Sequence, residues 1–206
     1  MIKTYTAKVL EDALNNAASD LNCQVSDLQY EVILEKKGLF SKKVEIKAYC
    51  LNTVINYVKQ YIETVLNDMN LELVEVTMEY TNGRIRANVN TSNNPLLIGR
   101  SGIILRSFNM IVKAAVQNTF NKRYEIDVDI NNYKLERYQK VEKMAKRFAR
   151  SVQKSRIDMK LDPLPADERK VMHQVISHMN YVRTQSVGEG KNRCLTIIYD
   201  ENKKVK

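Results

Sequence analysis

Apolar residues recur at Val9, Leu10, Ala13, Leu14, Ala17 and Ala18, the spacing of one helical face, and predict a helix over residues 9–18. Residues 28–34 and 43–49 read as strands, the second alternating charged and apolar side chains, across the turn Lys36-Lys37-Gly38-Leu39-Phe40. A helix with one antiparallel pair makes a module of about 50 residues, near the lower size limit for a fold that stands alone. Helical spacing returns over residues 53–69, at Val54, Ile55, Val58, Ile62, Val65, Leu66 and Met69. Residues 71–80 alternate, Asn82-Gly83 signals a two-residue hairpin, and residues 84–89 form the returning strand. Asn93-Asn94-Pro95 opens a short helical turn that ends at Ile98, and Gly99-Arg100-Ser101-Gly102 follows. A long helix with one apolar face is predicted over 103–120, and residues 124–130 alternate as a third strand. The order over 53–130 is α-β-β-α-α-β, a two-layer α+β domain.

Asn131-Asn132 marks a break. A long basic helix is predicted from Tyr133 to about Lys154, with Leu135, Tyr138, Val141, Met144, Ala145, Phe148 and Val152 on its apolar side. Leu161-Asp162-Pro163-Leu164-Pro165 is a rigid connector, and Asp167 is placed to cap a helix from Glu168 to about Met179. Strands over 181–186 and 193–199 close the chain across Gly188-Glu189-Gly190, and the polar segment 201–206 reads as a frayed tail.

Charge changes this picture in one respect. Residues 133–206 hold 18 Lys and Arg against 9 Asp and Glu, which accounts for the whole net charge of +9; residues 1–70 hold 8 against 9, and residues 71–132 hold 7 against 6. A polyanion partner is therefore expected of the last third, and on charge alone not of the first. No stretch approaches the roughly 20 apolar residues that span a bilayer, and the N-terminus lacks the apolar run of a secretion signal. Cys23, Cys50 and Cys194, odd in number and far apart, read as free thiols of a reducing compartment, so the expected location is the cytoplasm.

The candidate chemistry is binding. Two glycines flanking Arg100-Ser101 let the backbone approach a ligand closely, and the helix after them begins with unpaired N–H groups suited to a phosphate. Set between a short helical turn and a long helix, this G-x-x-G fits a loop that clamps a nucleotide backbone; a ligand-free turn between helices is the alternative. Arg106, one turn on, faces either the nucleic acid or water. The glycines do not complete the G-x-G-x-x-G of a dinucleotide fold, and no Gly-Lys-Ser/Thr follows them. Arg169 and His173 lie four apart on one helical face, either as a histidine orienting an arginine or as a basic pocket for single-stranded nucleic acid; the two readings are compatible. Lys170, Arg183, Ser186, Lys191 and Arg193 lie beside them as one candidate positive surface or as solvated side chains. Lys36, Lys37 and Gly38 form either a solvated hairpin tip or an interaction turn. His173 and His178 are five apart with no cysteine near in sequence, which argues against zinc, and the pair Asp127 and Asp129 is better explained as a strand's solvent face than as a metal site. No G-x-S-x-G, H-E-x-x-H or histidine-activated nucleophile is present, so neither an enzyme nor a cofactor is expected.

Leu96-Leu97-Ile98-Gly99-Arg100-Ser101-Gly102, Arg169-Lys170-Val171-Met172-His173 and Lys36-Lys37-Gly38-Leu39-Phe40 occur together in an order that resembles the Jag family of Gram-positive and related bacteria, also called SpoIIIJ-associated or KhpB proteins. The resemblance implies an α+β chain of three small modules: a Jag-N-like unit over 1–51, a type II KH domain over 52–131, and a nucleic-acid-binding domain named for its Arg-x-x-x-His motif over 132–206. On the family pattern Gly99, Arg100, Ser101 and Gly102 map to the KH loop, and Arg169 and His173 to the Arg-x-x-x-His pair. Two positions depart from it, Ile103 where a polar residue often follows the loop and Gly190-Lys191 where Glu-Pro often stands. The implied function is that of a non-catalytic, cytoplasmic regulator binding single-stranded RNA, linked to cell shape, elongation and sporulation. Implied partners are single-stranded RNA, a small KH-domain protein, a second copy of the chain in a homodimer, and a membrane protein insertase. The near-neutral first 132 residues motivate a rival reading, a protein-interaction scaffold or dimerisation module with little RNA binding.

Overall fold

The protein is described by a computed structural model over residues 2–37 and 42–205. The N-terminal strand β1 (Lys3–Ala7) leads into helix α1 (Leu10–Leu21), a short 3-10 turn (Val25–Asp27), and strands β2 (Gln29–Lys37) and β3 (Lys42–Tyr49). The sheet has three strands in the order β1-β3-β2, all antiparallel, rather than the expected pair. Lys3-Thr4-Tyr5-Thr6-Ala7 carries too few large apolar residues to announce a strand; its pairing with β3 supplies what local pattern lacks. Lys3 Nζ and Tyr5 Oη both donate to Asp20 Oδ2, each at 2.7 Å, and fasten β1 to α1. Ala13 and Ala17 of α1 meet Val44, Ile46 and Ala48 of β3 in a small buried core. Small residues on the helix let it sit close to the sheet. Of the basic turn, Lys36 and Lys37 end β2 opposite Lys43 and Lys42, and Gly38 lies outside the described residues.

Helix α2 (Leu51–Asp68) follows at once. Its start is a capping pair: Cys50 N donates to Thr53 Oγ1 at 3.3 Å, and the Thr53 hydroxyl lies 3.6 Å from Cys50 Sγ. Then come β4 (Leu73–Thr81), β5 (Arg84–Thr91), α3 (Asn94–Ile98), a 3-10 turn (Arg100–Gly102), α4 (Ile103–Phe120) and β6 (Glu125–Ile130). This is the α-β-β-α-α-β order read from the sequence, with sheet order β4-β5-β6, the first pair antiparallel and the second parallel. Asn82 and Gly83 both have positive φ, 52° and 76°, as a tight hairpin matched to strand twist requires. Ile85, Ala87 and Val89 of β5 and Ile126, Val128 and Ile130 of β6 are buried, as are Val54, Val58, Ile62 and Leu66 of α2 and Leu105, Phe108, Val112 and Val116 of α4. By length and composition Asn94–Phe120 is apolar enough to cross a membrane, contrary to the expectation that no stretch is; here it is interrupted at Gly99–Gly102, and its buried apolar residues belong to this domain's interior.

The N-terminal and central segments form one compact unit, residues Met1–Asn131. Phe120 joins them. Its ring centroid is 4.8 Å from that of Tyr49 in β3 and 5.3 Å, edge-on, from that of Tyr57 in α2. Tyr49 Oη donates to Phe120 O at 3.3 Å, and Lys122 Nζ to Gln29 Oε1 at 3.2 Å.

Residues Asn132–Lys206 form a second unit. It holds α5 (Tyr133–Ser155), β7 (Met159–Lys160), α6 (Ala166–Ser177), β8 (Val182–Val187) and β9 (Cys194–Tyr199), with sheet order β7-β9-β8. Val141, Ala145, Ala149 and Val152 of α5 pack with Met172 and Ile176 of α6 and Val182, Leu195 and Ile197 of the sheet. Three expectations are corrected. Helix α6 begins at Ala166 after Pro165, so Asp167 is not its cap but lies in its first turn, where its carboxylate accepts from Tyr138 Oη at 3.0 Å. A two-residue strand, β7, pairs with β9 and is too short to leave a periodic signal. The terminal segment is held: Tyr181 N donates to Lys203 O at 2.8 Å, and Lys203 Nζ to Ile176 O and Val182 O at 3.0 and 2.6 Å.

Phe120→Ala is expected to destabilise the first unit by about 3–5 kcal/mol, since it empties a buried aromatic site shared by two segments. Urea unfolding followed by circular dichroism measures this; a loss below about 1 kcal/mol would mean the joint carries little of the stability.

Candidate nucleic-acid interface

The loop after α3 is built by side chains that fix both of its ends. Asn94 Oδ1 accepts from Thr91 N at 2.8 Å and from Thr91 Oγ1 at 3.1 Å, and Asn94 Nδ2 donates to Asn90 Oδ1 at 2.7 Å, tying α3 to the end of β5. Asn93 Oδ1 accepts from Leu96 N at 3.4 Å and caps the short helix. Gly99 N then donates to Pro95 O at 3.0 Å and ends it.

Gly99 has φ 67° and ψ 179°, a region that is essentially glycine's alone. A Cβ there would lie 2.6 Å from Ile104 Cγ1, so the loop and the first turn of α4 are in contact without a side chain between them. Ser101 (φ 50°, ψ 33°) and Gly102 (φ 71°, ψ 22°) are left-handed. Arg100 and Ser101 are exposed and Gly102 is buried. Among the described residues no side chain caps the start of α4, and no acid occupies its first turn. The positive end of the helix dipole is thus not neutralised by its own first turn, the condition under which a helix start favours an anion.

Arg106 is neither wholly turned to a ligand nor wholly solvated. Its Nη1 donates to Ser101 O at 2.8 Å, so the guanidinium folds back and braces the loop from α4 while remaining exposed. Asn109, a residue no motif singled out, has a related task. Its Nδ2 donates to Val128 O at 2.7 Å and its Oδ1 accepts from Val128 N at 2.8 Å, so one amide imitates a neighbouring strand against β6. Leu96, Ile103 and Ile104 are exposed around the loop, at 48%, 57% and 40%.

In the second unit, Arg169 and His173 are drawn to separate partners. The Arg169 guanidinium donates to Leu164 O and, at 3.4 Å, to Arg193 O, so it ties α6 to the proline-containing connector and to the residue before β9. His173 Nδ1 meets Thr184 Oγ1 of β8. The histidine therefore takes its partner from the sheet, not from the arginine. Near the start of the same helix lies an ion pair with no sequence signature. Glu168, 2% exposed, accepts from Arg137 Nε and Nη2 of α5, both at 2.9 Å, in a two-pronged pair that joins the two helices. Lys170, His173, Ser186 and Arg193 are exposed. Arg183 belongs to another face: strand alternation places it opposite Thr184 and Ser186, and its Nε lies 3.5 Å from Asp200 Oδ2. Lys191 lies in the 3-10 turn Gly190–Asn192 before β9. The structure thus ties Arg169 to the backbone at Arg193 and His173 to Thr184, and turns Arg183 to the other side of the sheet.

Gly99→Ala is expected to destabilise the first unit by about 1–3 kcal/mol, and by more than Gly83→Ala, whose added Cβ meets nothing within 4 Å. Equal urea midpoints for the two variants would remove the Ile104 contact as a constraint. Glu168→Ala is expected to cost about 3 kcal/mol in the second unit, because it leaves Arg137 partly buried without its partner. Thermal unfolding of the full chain reads this as a lowered transition for the second unit alone.

Two segments of the chain match known families. Residues 5–50 match the family described as Jag N-terminus, and residues 139–199 match the domain family named for its Arg-x-x-x-His motif. The chain is 29% identical over 192 residues to an RNA-binding protein KhpB of Clostridium symbiosum, covering 90% of this chain and 86% of that one. It is 27% identical over 201 residues to the KhpB of Bacillus subtilis, covering 94% and 96%, and 25% identical over 190 residues to that of Streptococcus pneumoniae serotype 2, covering 91% and 56%. With the two matched segments flanking the central α-β-β-α-α-β domain, and relatives aligned along most of its length, the chain is a homologue of the KhpB/Jag-family RNA-binding proteins.

Proposed function

We propose that the protein is a non-catalytic RNA-binding regulator acting after transcription, whose central domain is a type II KH domain that holds single-stranded RNA at Gly99–Gly102. The observation that carries this reading is the loop itself: a glycine-only backbone, two exposed residues, and an uncapped helix start behind them, in an α-β-β-α-α-β setting. Exposed Arg100 supplies charge, and Arg106 keeps the loop in shape. The exposed aliphatic residues Leu96, Ile103 and Ile104 offer apolar surface next to it for unstacked bases. The second unit, which carries the whole excess of positive charge, adds electrostatic affinity. The relatives' description as RNA-binding proteins supports the same reading.

A second reading has its own observation. Helix α4 leaves Ile103, Met110 and Ile111 exposed at 57%, 71% and 51%, an apolar strip that suits a protein partner, either a small KH-domain protein or a second copy of this chain. The two readings are compatible, because the loop and the strip differ in residues except at Ile103.

Arg100→Asp with Ser101→Asp is expected to weaken binding to a single-stranded RNA at least tenfold and to flatten its salt dependence, by setting carboxylates against phosphate. Fluorescence anisotropy across a salt series measures both. Unchanged affinity with an unchanged slope would sink the loop as an RNA contact. Crosslinking of protein to RNA in cells, with sequencing of the bound fragments, tests the regulator reading directly; absence of enriched transcripts leaves only the protein-partner reading standing.

A further inference from the structure

Helix α5 is two different helices in its charge pattern. Its first half intersperses signs, with Glu136 and Glu142 among Lys134, Arg137 and Lys140; Glu136 and Lys140 lie one turn apart, 3.9 Å between charged atoms. Between Glu142 and Asp158 no acid occurs, while Lys143, Lys146, Arg147, Arg150, Lys154 and Arg156 do. The first five of these are all exposed. At 3.6 residues per turn they fall within an arc of about 100°, opposite Val141, Ala145, Ala149 and Val152, and Lys143 to Lys154 covers about 16 Å of the axis. The apolar side is fixed in the unit's core, so the direction of the stripe is set by packing.

A solvated helix surface mixes signs, because cations one turn apart repel one another. Among the described residues none of the five pairs with a carboxylate; Arg147 lies over the Phe148 ring at 5.0 Å, a contact that leaves its charge in place. The helix dipole favours cations only in the last turn, which accounts for Lys154 and not for the others. The motif residues of the same unit are differently placed: Arg169 is engaged by two backbone carbonyls and His173 by Thr184.

We propose that the stripe Lys143, Lys146, Arg147, Arg150 and Lys154 on α5 is a contact surface for the phosphate backbone of single-stranded RNA, and that Arg169 and His173 act chiefly as the framework of the unit that carries it. The inference rests on the RNA-binding reading above. A row of cations one turn apart, about 5.4 Å, suits a flexible polyanion that can follow the helix axis. It carries no base selectivity, since flexible side chains of one sign meet phosphates and not base edges.

The test uses the full chain with Lys143→Gln, Arg147→Gln, Arg150→Gln and Lys154→Gln together. Glutamine keeps helix propensity, so the variant folds, and circular dichroism verifies it. Anisotropy with a labelled unstructured RNA is read across salt concentrations for wild type, this variant, and the Asp-substituted loop variant. The expected result is a slope of log affinity against log salt reduced by about 2–3 in the stripe variant, at roughly 0.7 per lost phosphate contact, equally for RNAs of different sequence. Wild-type binding with the same slope in the stripe variant overturns the stripe and leaves the RNA reading intact. No RNA binding by wild type overturns both. Sedimentation with vesicles of phosphatidylserine and phosphatidylcholine provides the remaining arm: a stripe variant that loses vesicle binding while its RNA slope is unchanged assigns the stripe to a membrane surface and refutes the proposal.

Discussion

The apolar stretch Asn94–Phe120 is prevented from forming one helix by the backbone at Gly99, Ser101 and Gly102, and the central domain depends on that interruption. Uninterrupted, the 27 residues would make a single rod with no means of bringing both α3 and α4 onto the same sheet. Three torsions outside the helical region turn the chain between them. The turn is tolerated because Gly99 needs no Cβ where Ile104 sits, and because α3 is pinned to β5 through Asn94 and the loop is braced by Arg106. Strain at this point is thus held by hydrogen bonds from both sides. The same torsions are what expose Arg100 and Ser101.

Much of this was legible in the sequence, for a physical reason. Helices α2 and α4 each bury one face against a sheet, and burial of one face prints a period on the residues. The β4–β5 hairpin declares itself by Asn82-Gly83, because few other pairs tolerate two positive φ angles in succession. What escaped was set by partners distant in sequence. Strand β1 is made a strand by β3, and the terminal segment is held by carbonyls of Ile176 and Val182. Asp167 has the chemistry of a cap and the wrong position, since Pro165 already fixes where α6 begins.

The site shows the same division. Loop position was readable because glycines are scarce in this chain and two of the six lie three apart. The roles of Arg106, Asn109 and Glu168 were not, because each is defined by one acceptor or donor on another segment: Ser101 O, the Val128 backbone and Arg137. In the second unit, a motif whose spacing suggests joint action proves to be two side chains with two different partners. Arg183, one more basic residue of the same hairpin, is turned to the other side of the sheet by strand alternation. Net charge located the basic third of the chain without locating a face.

Helix α4 begins at the glycine turn and ends at Phe120, the residue on which Tyr49 and Tyr57 converge. At 1.5 Å per residue its 18 residues measure about 27 Å. The turn and the inter-segment joint are therefore the two ends of one continuous helix, so the direction of that helix is fixed at one end by the aromatic contacts of Phe120 and at the other by the glycine turn that carries Arg100 and Ser101.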